Sequence, residues 1–224
     1  MIICHTKKLI FIKTKKVGGT SFEIALSKFC GDDCVITPIT PEDEKLRIDR
    51  GYRGAQNYRN TAWPAYGMQT KGELFNHIPA PTLMSVVPRA IWDDYTKITI
   101  FRNPYDAVIS RYYWHGGEET GMAFDEFVLR HPQILTENTL IAPLSGEAKL
   151  DRYLKYEDLG DELDDLGLAD VREVFSTLKT KGNLRPTQGA TVQDIYRKFP
   201  QVIDFIAEAC ADEIRHFGYT PPHA

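Results

Sequence analysis

Residues 10–23 read IFIKTKKVGGTSFE. An apolar run passes into basic and hydroxyl residues, then two glycines, then Thr-Ser. Leu9–Ile12 is apolar throughout, as suits a central strand covered on both faces. Thr20 and Glu23 have the spacing of a capping box. Phe22, Ala25, Leu26 and Phe29 fall on one helical face, and Gly31 stands where a C-cap belongs. The stretch predicts strand, glycine turn, helix. Such a turn brings backbone N–H groups and the positive end of a helix against an anion. Lys16 precedes Gly18 and Gly19, so this is not the G-x-x-x-x-G-K-[ST] loop that holds nucleoside triphosphates.

A second unit of the same kind lies further along. Lys97–Phe101 reads as a strand, and residues 101–114, FRNPYDAVISRYYW, continue from it. Asn103 is suited to cap a helix, Pro104 to its first position and Asp106 to its first turn. Tyr105, Val108, Ile109 and Tyr112 share one helical face. Arg102 sits at the carboxyl end of its strand, where open α/β sheets bind ligands. Ser110 lies eight residues on, on a face directed to the same crevice. A guanidinium fork and a hydroxyl together suit a phosphate. Two anion sites after two strands imply a donor with two separated phosphates.

Strand Tyr153–Tyr156 and helices near residues 42–48, 79–87, 89–94, 124–130, 163–166 and 171–179 complete the pattern. A last helix starts near Pro200 and carries Val202, Phe205, Ile206 and Ala209 inward. Strands alternating with helices predict an α/β fold with a mainly parallel sheet in a single domain over residues 1–224. Residues 35–75 form an irregular insertion, and long loops inside compact domains are often functional. With 42% hydrophobic residues the chain buries a sizeable core, and its net charge of −4 argues against a general nucleic-acid binder. There is no apolar run of 18 residues, so a soluble, cytoplasmic protein without a membrane span is expected. Cys30 and Cys34 have a spacing that allows a bridge or a metal site, but with Cys4 and Cys210 they read first as reduced structural thiols.

KVGGTS and FRNPYDAVIS together resemble the two donor-binding motifs of sulfotransferases that use 3′-phosphoadenosine 5′-phosphosulfate. The resemblance is to the branch of heparan sulfate 2-O-sulfotransferases and carbohydrate sulfotransferases, with their bacterial relatives. The family's first loop reads P-K-T-[AG]-[GS]-T-S; here Lys15 replaces the proline, and Lys16, Gly18, Gly19, Thr20 and Ser21 match. In the second motif Arg102, Asn103, Pro104, Tyr105, Asp106 and Ser110 match. Weaker matches are YLKYEDL at 153–159 and FGYTPP at 217–222, and the likeness covers most of the chain outside residues 35–70.

The resemblance implies a P-loop-like three-layer fold, a donor with one phosphate at its 5′ end, and no metal. It places Lys16 at the oxygen bridging phosphate and sulfate, where charge develops as the bond breaks. Sulfuryl transfer also needs a base for the acceptor hydroxyl. His5 and His223 lie at the ends of the chain, and His115, His131 and His216 at helix ends. His77, in LFNHIPAPTL, stands where the family keeps its histidine, with Glu73 as the weaker alternative. A late basic loop, TKGNLRPTQGA at 180–190, offers Lys181 and Arg185 to the 3′-phosphate or adenine, or is a solvated charged loop.

The segment 47–66 interleaves Arg47, Arg50, Arg53 and Arg59 with Tyr52, Tyr58, Trp63 and Tyr66. Aromatic faces stack on sugars and arginines bind acidic groups, so Arg53, Tyr58, Trp63 and Tyr66 are candidates for a carbohydrate-like acceptor. The same residues also suit a cover packed on the sheet edge. Two other functions remain open: an ATP-dependent small-molecule kinase, and a non-catalytic nucleotide- or carbohydrate-binding module. The kinase lacks a Walker lysine and a strand-terminal aspartate for the metal.

Overall fold

A computed structural model describes residues 1–178, 185, 186 and 188–222. Lys181 and His223 lie outside the described residues. In chain order the strands are β1 (Ile2–Cys4), β2 (Leu9–Phe11), β3 (Val35–Ile36), β4 (Ala62–Trp63), β5 (Met68–Gln69), β6 (Thr96–Phe101) and β7 (Arg152–Lys155). The helices of the first half are α1 (Gly19–Ser27), α2 (Pro41–Asp49), α3 (Ala80–Val86), α4 (Arg89–Asp94) and α5 (Pro104–Trp114). Those of the second half are α6 (Phe124–Arg130), α7 (Gln133–Ile141), α8 (Leu159–Asp165), α9 (Ala169–Ser176), α10 (Val192–Lys198), α11 (Ile203–Ala209) and α12 (Ala211–Phe217).

Five strands form one sheet in the order β3-β1-β2-β6-β7. β2, β6 and β7 are parallel neighbours, while β1 runs against both β2 and β3. Four strands therefore point the same way and one is reversed: a mixed α/β protein with a mostly parallel sheet. Residues alternate across it. Ile2, Cys4, Leu9, Phe11, Ile98 and Ile100 face one apolar cluster with α1, α8 and α9 residues such as Phe22, Leu163 and Val171. Met1, Ile3, Ile10, Ile12 and Phe101 face the other, with Leu83, Ile91 and Trp92. Both faces are covered, which is why the strands read as unbroken apolar runs. A third cluster joins α5 to α6, α10 and α11 through Tyr105, Tyr112, Phe124, Tyr196 and Ile206. Among the described residues no helix is long and apolar enough to cross a membrane.

Several expectations need correction. Thr20 and Glu23 make no capping box: Gly18 caps α1 without a side-chain bond. Glu23 is instead fully buried, holding Lys13 Nζ at 2.6 Å and the Met1 amino group. Burial raises its carboxyl pKa, but these two cations outweigh that and pull it down to about 2. The insertion at 35–75 is less irregular than its composition suggests. It contains β3, then α2 capped by the Thr40 side chain, then the β4–β5 hairpin. The last helix is two, α11 and α12, meeting at Cys210.

Glu213 on α12 is 4% exposed. Burial, then the charge of Glu157, pushes its carboxyl pKa from 4.5 up to about 8. The folded state therefore holds a proton that the unfolded chain releases between those values. Its contribution to stability is present below pH 4.5 and is lost as pH rises through 8, by about 1.4 kcal/mol per pH unit. Glu213→Gln removes this dependence. Denaturant unfolding at pH 5 and pH 8 is expected to show the variant gaining on the parent at the higher pH.

Candidate active site

β2 and β6 are adjacent and parallel, so the segments that follow them emerge side by side at one end of the sheet. After β2 the chain stays tied to β6: Ile12 N–H donates to Ile98 O at 2.9 Å, and the Thr14 hydroxyl donates to Ile100 O. The turn then closes through two left-handed residues, Lys16 at φ +64° and Gly18 at φ +72°. A Cβ on Gly18 would stand 3.0 Å from the Tyr156 ring, and one on Gly19 would stand 2.9 Å from Lys13 Cγ. A side chain at Gly19 would force Lys13 aside, and one at Gly18 would crowd Tyr156 and strain a left-handed dihedral as well. The first intrahelical bond runs from Phe22 N–H to Gly18 O. The amides of Gly19 and Thr20 thus stand at the positive end of α1.

After β6, Asn103 caps α5 by accepting from Tyr105 N–H, with Pro104 in the first helical position as the sequence predicts. Arg102 donates from Nε to Asp106 at 2.6 Å and from Nη1 to the Lys16 carbonyl at 3.3 Å. The second bond joins the two motifs directly. The Arg102 guanidinium also lies 4.7 Å from the Tyr156 ring centre. Arg185, from the late basic loop, binds the other oxygen of Asp106. One carboxylate thus orients two guanidinium groups.

These segments enclose a cavity of about 460 Å³. Lys16, Gly18, Gly19, Thr20, Arg102, Ser110, Arg185 and His77 all line it. Residues 130 or more apart in sequence thus meet around one space, with cations and hydroxyls predominating. Ser21 is buried in α1 and is not part of the lining. Lys13, Asp43, Asn76, Arg111, Trp114 and Tyr156 also contribute, although the motifs did not single them out. Arg111 and Trp114 had a visible signal, since they continue the α5 stretch beyond Ser110. The Lys16 ammonium rests 4.2 Å from the Trp114 ring centre, a cation–π contact that holds it on the cavity wall.

The acceptor residues expected from segment 47–66 are not brought here. Trp63 is buried at 3% exposure and its indole N–H donates to Thr70 at 2.8 Å, so its ring faces are spent on the core. Tyr58 packs on the same core cluster. Arg53 is paired with Asp32, and Tyr66 stands exposed on a short 3-10 turn. Of these four none lines the cavity. Glu73, the alternative base, pairs with Arg59 and is also outside it.

His77 does line the cavity, in a left-handed conformation at φ +59°. Its Nδ1 lies 2.9 Å from the Lys13 carbonyl. A carbonyl only accepts, so Nδ1 carries the hydrogen and Nε2 is left as the proton acceptor. Burial, then the charge of Lys13, lowers the His77 pKa to about 4. The ring is therefore neutral at pH 7 rather than poised near it.

Lys15 stands where the resembled motif has proline, and its backbone N–H is in use. Its N–H donates to Asn138 Oδ1 at 2.8 Å, and Asn138 Nδ2 returns a bond to Lys15 O at 3.1 Å. Proline has no N–H to give. Glu137, the preceding residue on α7, pairs with both Lys15 and Arg111. α7 thus clamps the turn from outside.

Compared with known proteins, the chain matches no family model and no curated relative. The likeness to sulfotransferases rests on the two sequence motifs alone. One consequence is testable at Arg102. Hydrogen bonds to charged groups contribute about 1.5–3 kcal/mol. Arg102→Ala is expected to weaken binding of adenosine 3′,5′-bisphosphate by about that amount, since it removes a charge as well as the donors, and Ser110→Ala, which removes one hydroxyl, by less. Unchanged affinity in both, by calorimetry, would remove the second motif from the site.

Proposed function

We propose that the protein is a sulfotransferase that moves a sulfuryl group from 3′-phosphoadenosine 5′-phosphosulfate to an acceptor hydroxyl. The observation that supports this most is the joining of two anion-binding turns in one cavity, with Arg102 bonded to the carbonyl of Lys16. The sheet with apolar clusters on both faces fits a P-loop-like three-layer arrangement. In this reading Gly18, Gly19, Thr20 and the start of α1 hold the 5′-phosphate. Arg102, Ser110 and Arg185 hold the 3′-phosphate. The acceptor oxygen attacks sulfur in line, a new S–O bond forms, and the bond from sulfur to the bridging oxygen breaks. Lys16 meets the charge that grows on that oxygen, and His77 Nε2 takes the acceptor proton.

The kinase reading has less support. Among the described lining residues Asp43 is the one carboxylate, and it already accepts the Thr40 hydroxyl at 2.8 Å at the start of α2. A magnesium nucleotide site calls for a carboxylate and a hydroxyl directed at the metal.

The acceptor is proposed to be a hydroxyl-rich, carbohydrate-like molecule. Asn76 lines the cavity beside His77, and its buried Oδ1 has no hydrogen-bond partner. Such an oxygen favours a ligand that donates. The buried free thiols suit a reducing, cytoplasmic setting. The test is a donor-turnover screen against acidic glycans, neutral glycans, phenols and steroids, reading release of adenosine 3′,5′-bisphosphate. Turnover with glycans is expected. Turnover confined to phenols or steroids would overturn the acceptor class, and none with any acceptor would count against the transfer itself.

A further inference from the structure

Three cysteines meet at the end of the sheet away from the cavity. Cys4 closes β1, Cys30 follows α1, and Cys34 precedes β3. Their sulfur atoms all lie within 4.8 Å of one another and all three residues are buried. Cys4 pairs with Leu9, the first residue of β2, whereas the glycine turn follows the strand's last residue. α1 then spans the distance between turn and cluster, roughly 14 Å at 1.5 Å per residue. The sulfurs therefore belong to a separate site.

We propose that Cys4, Cys30 and Cys34 bind a thiophilic divalent cation of the zinc class, with the Asp33 carboxylate as an oxygen ligand in the fourth position. Zinc–thiolate bonds of about 2.3 Å put the sulfurs of a tetrahedral site about 3.8 Å apart, so the three sulfurs need to draw in by no more than about 1 Å. Asp33 Oδ1 already lies 3.8 Å from Cys34 Sγ. The backbone supports charge on sulfur: the N–H groups of Gly31 and His5 donate to Cys34 Sγ at 3.2 and 3.3 Å. A buried thiolate held this way needs a countercharge, which the cation supplies.

The loop that carries two of the ligands is also fixed in advance. The Gln56 side-chain amide donates to Gly31 O at 2.8 Å and to Cys34 O at 2.9 Å. Asn57 donates to Asp32 O at 2.7 Å and to Cys34 O at 2.9 Å. Rigid ligand spacing lowers the ordering cost of binding. The bound ion would tie β1, the end of α1 and β3 together, adding to stability what its affinity supplies.

The experiment is an anaerobic titration of the reduced, full-length chain with Cd²⁺ and Co²⁺, followed by Zn²⁺ competition. Binding is read by thiolate-to-metal charge-transfer absorption. One ion per chain is expected, displaced by Zn²⁺. Cys30→Ser and Cys4→Ser should each lose at least the ~10–100-fold in affinity that removal of an outer-shell partner costs. Cys210→Ser, whose sulfur lies in the third core cluster, should bind as the parent does. Thermal unfolding of the parent chain guards against misfolded variants: Zn²⁺ should raise the midpoint and a chelator should reverse it. Absence of the band, a band unaffected by the Cys4 and Cys30 substitutions, or an unmoved midpoint would overturn the proposal. So would an intramolecular disulfide in a chain that takes up no ion.

Discussion

Replacing His77 with asparagine is expected to leave donor binding intact and to lower transfer by about 10²–10⁴-fold, the usual contribution of a positioned base. Asparagine is preferred to alanine because position 77 has φ +59°. Asn tolerates the left-handed region better than most residues, so the loss reads on chemistry and not on a rearranged loop. The Lys13 carbonyl holds the Nδ1–H, leaving Nε2 to accept the proton. Because the pKa of His77 lies near 4, kcat/KM should be flat from pH 6 to 8 and fall only as pH drops toward 4. The same shift links to stability: the unfolded chain binds the proton between pH 6.5 and 4 and the folded one does not. This contribution is therefore complete above pH 6.5 and is lost as pH falls through 4. Full activity in His77→Asn, or an acid limb near pH 6.5 that survives the substitution, would assign the base elsewhere.

Lys16→Met is expected to cut turnover by about 10²–10³-fold, by analogy with the loss of a single transition-state donor. Donor affinity should change much less. In the proposed reading turn amides, hydroxyls and Arg102 hold the ground-state donor, whereas charge on the bridging oxygen appears only as the bond to sulfur breaks. Methionine keeps an unbranched apolar side chain of similar length but removes the ammonium, and with it the cation–π contact to the Trp114 ring. The left-handed backbone at position 16 is equally demanding for both side chains, so folding should be little affected. A rate equal to the parent's would place Lys16 on the surface of the reaction. An equal loss in affinity and turnover would make it a general anion contact.

Much of this site was legible in local patterns. The glycine turn and the α5 cap depend on residues within a few positions of each other; Arg102 and Lys16 follow from their place beyond strand ends, and Ser110 from its face of α5. What escaped was set by contacts distant in sequence. β1 is three residues long and apolar on both faces, so its reversed direction leaves no periodic trace. Glu23 looked like a capping partner because the spacing was right. Its true partner is Lys13, ten residues back across the turn, and no local rule reports a buried ion pair. Trp63 and the arginines of the insertion looked like a sugar-binding surface by composition. Yet Arg47 is buried on Glu44, while Arg53 pairs with Asp32 and Arg59 with Glu73 at the surface, and none of the three lines the cavity. The three cysteines are far apart in sequence except for Cys30 and Cys34. Only the pairing of β1 with β2 and β3 brings Cys4 to them.

In the proposed function two anion sites, one after β2 and one after β6, hold a single nucleotide carrying separate 5′- and 3′-phosphates. The most direct test is calorimetric titration with adenosine 3′,5′-bisphosphate in the presence of EDTA, beside ATP with Mg²⁺. Tight binding of the bisphosphate that EDTA does not weaken is expected, lost in part with Arg102→Ala, together with weak binding of ATP. Tighter binding of ATP that depends on Mg²⁺, with none of the bisphosphate, would contradict it.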